Sequence, residues 1–207
     1  PGVYTHEIAE ALFQYIPGAK LLDASTAMKT NDEIGKMVYP FVTDDPVFGY
    51  MTSLNLPDFF DAKKIASMQG KLDTVNEGIC IIYGTGASLI APKPNLLFYA
   101  DMPRWEIQLR FRNKSIGNMG AQNQGAEFSY LYKRSFFVDW RVCDRHKKEI
   151  MNYWNYILDT TIPNNPKLIS ADAFKDALRE TVRRPFRVVP FFDPGPWGGQ
   201  WLKEVCD

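Results

Sequence analysis

Apolar positions along this chain fall into two patterns. In the first they recur at helical spacing. Ile8, Leu12, Phe13 and Ile16 share one face, which predicts a helix from about Thr5 to Tyr15 with Thr5 as its N-cap and Pro17-Gly18 as its stop. "TNDEIGKMVYPFV" predicts a second helix, capped by Thr30 or Asn31, with acids in its first turn and Pro40 bending or ending it. "PDFFDAKKIASMQG" predicts a third, opened by Pro57-Asp58 and stopped by Gly70. A fourth begins near Pro103 in "MPRWEIQLRFR", and "YLYKRSFFVDWRVCDRHKKEIMNYW" is helix-prone and aromatic throughout. "SADAFKDALRETVRR" is the best-formed helix, with Ser170 as cap, Asp172 in the first turn and Arg183-Arg184 at the end.

In the second pattern apolar residues run without alternation. Ile79 to Tyr83 precedes Gly84-Thr85-Gly86, Leu96 to Ala100 precedes Asp101, and "NYILD" is a third such run; "AKLLDAST" is a shorter candidate. Unbroken apolar runs suit strands buried on both faces, and strands alternating with helices imply a layered, largely parallel sheet. The expected fold is therefore a three-layer α/β domain over residues 1–184, followed by an extended segment over 185–207. Two connections stand out. Residues 44–61 form a long loop with apolar plugs, and residues 113–128 are polar and Gly-rich, which reads as a mobile loop or lid.

Charge sharpens this picture. The 207 residues carry no formal net charge, which argues against a nucleic-acid partner. The distribution is uneven: residues 1–100 have a net charge of −4, residues 101–148 of +5, and residues 149–207 of −1. A local basic block suits a small anionic ligand. Cys80, Cys143 and Cys206 are odd in number and lack metal-ligand spacing, so free thiols in a reducing compartment, the cytoplasm, are expected. No apolar run reaches the roughly 18 residues of a membrane span.

The candidate chemistry lies at the strand ends. Gly84, Thr85 and Gly86 are either an anion cradle or a plain tight turn, and they match neither of the common glycine-rich phosphate loops. Asp101 sits at the strand edge where open α/β sheets bind ligands, or it caps the following helix. Arg104 and Arg112 fall near one helical face and either meet a phosphate or form a solvated basic face. Lys133 and Arg134 add to the same block. His6 and His146 lack partners at ligand spacing and read as surface or capping residues. The chain holds no recognisable catalytic set.

Two groups of motifs carry a resemblance. "RVVPFFDPGPWGGQWLKEV" (187–205) is similar to the opening of class I mannose-6-phosphate isomerases, where a first strand leads into a Trp-Gly-Gly turn and a Leu; Trp197, Gly198, Gly199 and Leu202 stand at those places. "DDPVFGYMTSLNLPDFFD", "IIYGTGASLI", "YADMPRWEIQLRFR" and "YKRSFFVDWRVCDRHK" resemble an N-terminal extension found in a bacterial subset of isomerase-like proteins, and that extension resembles a P-loop nucleoside-kinase-like domain. The resemblance implies that residues 185–207 open a cupin barrel absent from this chain. It also implies that zinc and the isomerase residues belong to that barrel, and that residues 1–184 bind a phosphorylated sugar or nucleotide or scaffold the barrel. A nucleoside or sugar kinase is the alternative, although no phosphate-binding lysine loop is present. A stand-alone interaction module docking through Trp197 and Trp201 is the third reading.

Overall fold

The computed structural model describes residues 2–75 and 77–185. Trp197, Trp201 and the Trp-Gly-Gly turn lie outside the described residues. The chain divides into two compact units, residues 1–171 and 172–207. In the second, the described part is α8 (Ala171–Arg183) and its exit, with Arg179–Asp176 and Arg184–Glu180 pairs along its surface.

The first unit mixes helices with short strands. Helices α1 (Thr5–Tyr15), α2 (Asn31–Val42), α3 (Ala62–Asp73), α4 (Ala87–Ile90), α5 (Arg104–Arg112), α6 (Phe128–Arg134) and α7 (Trp140–Ile150) alternate with strands β1 (Lys20–Asp23), β2 (Cys80–Tyr83), β3 (Phe98–Asp101), β4 (Tyr156–Asp159) and β5 (Lys167–Ser170). The α/β class is as the patterns imply. The sheet, however, is not single among the described residues. β1 and β2 form a parallel pair, with Leu22 beside Ile82. β3, β4 and β5 form a second sheet, parallel between β3 and β4 and antiparallel between β4 and β5. β5 went unrecognised because "KLIS" is too short to show a period.

Local chemistry sets the helix bounds, and four expectations need correction. Thr30 and Glu33 build a reciprocal capping box at α2, as their spacing implies. Pro40 does not end α2, which runs on to Val42; in the last turn the missing N–H costs one bond, and Thr43 N still donates to Tyr39 O. Asp61, not Pro57-Asp58, opens α3, by accepting from the amides of Lys63 and Lys64. Gly70 does not stop α3, which continues to Asp73. Tyr4 rather than Thr5 is the N-cap of α1, and its side chain makes no capping bond.

Two apolar clusters form the core. One gathers Ile34, Val38, Phe59, Phe60, Ile90, Val138 and Val142, and the other Met102, Ile107, Phe111, Leu131 and Trp140. Residues 128–150 form one helical run between them, with a π-helical turn over Ser135–Asp139. Its sides face different clusters, Val138 and Val142 the first and Leu131 and Trp140 the second. The extra residue of the π turn brings Asp139 fully inside.

Candidate functional site

Three of the strands end in the same way: "KLLD", "FYAD" and "YILD" each place an aspartate at the carboxyl edge. Each carboxylate then organises the next turn. Asp23 accepts from Ser25 N (2.8 Å), Asp101 from Met102 N (3.0 Å), and Asp159 from Thr161 N and Oγ1. The two bonds from Thr161 hold the Asp159 carboxyl below the usual range.

A cavity of about 290 Å³ opens at the carboxyl edge of β1 and β2. Its floor is Asp23 and Ser25 after β1 and Gly84 and Thr85 after β2; Thr5 and His6, the first residues of α1, form a second wall. Ser115 to Gly120 close the third side. The first turn of a helix has amides without intrahelical partners and a positive partial charge, and here Thr5 and His6 of that turn line a polar cavity at strand ends. A second cavity, of about 550 Å³, is walled by α2, Asn123, Tyr130 and Arg134 and by no strand end.

The residues singled out in the sequence part company. Gly84 and Thr85 line the cavity at β1 and β2. Gly86 packs instead: at φ +92° it lies over the Phe60 ring, where any Cβ would collide. Asp101 pairs with Lys147, and Lys147 also lies over the Tyr99 ring. Burial, with the Asp101 charge second, pushes the Tyr99 phenol far up, so it stays protonated. Arg104 pairs with Asp144 and stacks on Trp140, and Arg112 lies over Phe128 at 3.9 Å. Lys133 is buried and donates to the carbonyls of Thr43 and Asp45, pinning the 43–48 turn. Arg134 is buried beside Asp139 and donates to Met119 O (2.6 Å). Asp101, Arg104, Arg112, Lys133 and Arg134 thus do not line the cavity with Gly84 and Thr85, and the four cations are engaged with carbonyls, carboxylates and rings.

The loop at 113–128 is corrected too. Asn118 and Met119 are buried, and Asn118 Nδ2 reaches Leu131 O, Ser135 Oγ and Asp139 Oδ2, each at 2.9 Å. Met119 N also donates to Asp139 Oδ2. Burial raises the Asp139 pKa despite the neighbouring Arg134. A loop held this way is a fixed wall of the cavity.

Sequence reasoning missed Asp23, Ser25 and the first turn of α1. The repeated strand-end aspartate was the available signal for Asp23. It missed Arg110 as well, which is buried, bonds Glu106, Gly2 O, Thr160 O and Thr161 O, and lies over Tyr4. His146 is no surface residue: its Nε2 lies 2.7 Å from Ser88 Oγ, tying α7 to α4. Cys80 and Cys143 are free thiols, and burial pushes that of Cys143 up. Among the described residues no three His, Cys, Asp or Glu side chains gather to hold a metal ion, and no helix is long and apolar enough to cross a membrane.

A family model described as a domain of unknown function (DUF8485) matches residues 1–183. No curated protein and no solved structure matches the chain.

Proposed function

The chain belongs to the family of the domain of unknown function DUF8485, and from that premise we propose that the domain binds a phosphorylated small molecule, a sugar phosphate or a nucleotide, in the cavity at the carboxyl edge of β1 and β2. The observation that carries this reading is the meeting of α1's first turn with Asp23, Gly84 and Thr85 around one polar cavity. The amides and dipole of the helix start suit a phosphate. The Asp23 carboxylate and the Thr5 and Thr85 hydroxyls suit the hydroxyls of a sugar. Crevices at the carboxyl ends of parallel strands are the usual ligand sites of α/β folds. With the basic block committed elsewhere, the domain acts as a binding element of a larger isomerase-like polypeptide and catalyses nothing itself.

Calorimetric titration with mannose 6-phosphate and with ATP tests this reading. Binding of either that is lost in Thr85→Trp, which fills the cavity, is the expected result. Absence of heat with both, on protein whose folding is verified, overturns it. That outcome favours scaffolding, which has an observation of its own: the turn pinned by Lys133 displays Val47, Phe48, Tyr50 and Met51 to solvent.

A further inference from the structure

The inner-strand character of β2 and β3 conflicts with their places in the sheets. Among the described residues β2 pairs only with β1, and β3 only with β4. Yet Ile79-Cys80-Ile81-Ile82-Tyr83 and Leu96-Leu97-Phe98-Tyr99-Ala100 are the unbroken apolar runs of parallel strands covered on both faces, the kind found inside a larger sheet. Ile79, Leu96 and Phe98 are left 56%, 58% and 50% exposed. The other two edge strands, β1 and β5, each open on a lysine, Lys20 and Lys167, which is how sheets protect a true edge. A two-stranded parallel pair alone is also an unstable arrangement.

Two further observations bring these free edges together. The carboxyl ends of β2 and β3 are fastened to consecutive residues of α7: Ser88, just past β2, to His146, and Asp101, the last residue of β3, to Lys147. The peptide entering α1 passes between the same two ends. Gly2 and Tyr4 line the cavity with Gly84 and Thr85 at the end of β2. On its other side Gly2 abuts Met102, the residue after β3, and Ile107, so closely that a Cβ would stand 2.8 Å from Ile107 Cγ1. Arg110 fastens it there through Gly2 O at 2.9 Å. A strand running parallel to β2 and β3 would end at this edge, and its loop into a following helix would occupy the path of Gly2 to Tyr4.

We infer that β2 and β3 are inner strands of one sheet, separated by a further parallel strand supplied by natural polypeptide upstream of the 207 residues. The strand order is then β1, β2, the added strand, β3, β4, β5. This arrangement pairs both apolar edges and leaves only β1 and β5 at the margins. It also places the cavity beside a strand from which connections leave in both directions, the switch point of an open sheet.

Amide hydrogen exchange tests this inference on two proteins: the chain of 207 residues, and the same chain extended by whatever its natural reading frame encodes upstream, up to about 20 residues, enough for a strand of about five or six and its loop. Ladder amides of β2 and β3 that face away from β1 and β4 should exchange at least about 100-fold more slowly in the longer protein, with the amides of α8 unchanged as an internal control. A proline placed in the middle of the added segment should return β2 and β3 to fast exchange. Equal protection in the two proteins, a uniform slowing of all strands, or a reading frame with fewer than about six upstream residues overturns the inference. So does a dimer of the 207-residue chain, seen by light scattering, in which those amides are already protected.

Discussion

Asp139 is the acceptor at the centre of one buried polar network. It sits fully inside the π turn, accepts from Asn118 and Met119, and lies 3.5 Å from Arg134 Nε. Removing it leaves a buried guanidinium without its counter-charge, which is costlier than losing a neutral bond. Asp139→Ala and Asp139→Asn both remove that counter-charge and should each destabilise the protein by about 3–5 kcal/mol in urea unfolding, Asn at the lower end since its amide oxygen still accepts from Asn118. His146 makes a separate prediction. Burial lowers its pKa below the ordinary 6.5, outweighing the nearby Glu149. The unfolded chain thus takes up a proton in a window where the folded chain does not. The contribution is fully present above the ordinary value and is lost as pH falls through the folded one. The urea midpoint should drop between about pH 7 and pH 5, and His146→Gln should show less of this drop.

Among the elements, the glycines of α3 and of the β2–α4 turn have opposite roles although both lie in short polar-flanked segments. Gly70 lies inside α3, exposed, with open space where a Cβ would go. Gly70→Ala should stabilise by about 0.5–1 kcal/mol, since a helical alanine loses less backbone freedom than glycine. Gly86 stands at positive φ beneath the Phe60 ring, so Gly86→Ala meets both backbone strain and a steric clash and should lower the midpoint. Thermal melts of the two variants should move in opposite directions. The sequence marks both residues as punctuation. Only the packing of Phe60 tells a helix interior from an obligatory turn.

For the whole molecule, the basic block at 101–148 changes meaning. Its net charge of +5 suggests an anion-binding face. In the fold Arg110, Lys133 and Arg134 are buried, and Arg104 and Lys147 are paired with Asp144 and Asp101. Heparin should therefore retain the protein weakly, with elution below about 0.15 M salt, since few free cations remain to displace counterions. Retention to much higher salt would mean that the partly exposed Arg104–Asp144 and Lys147–Asp101 pairs open in solution.

The sequence by itself determined the elements: helix faces came from apolar spacing, strands from unbroken apolar runs, and the α2 cap from Thr30 and Glu33, because each depends on residues within a few positions. It could not show that the glycine-rich loop is anchored, since its partners Leu131, Ser135 and Asp139 lie 13 to 21 positions away. Nor could it separate a lysine or arginine facing solvent from one buried against a carbonyl, because charge composition is blind to direction. The tertiary structure alone decided that Asp23, Thr85 and the start of α1 surround one cavity, since these three separate segments of the chain meet there only when β1 and β2 pair.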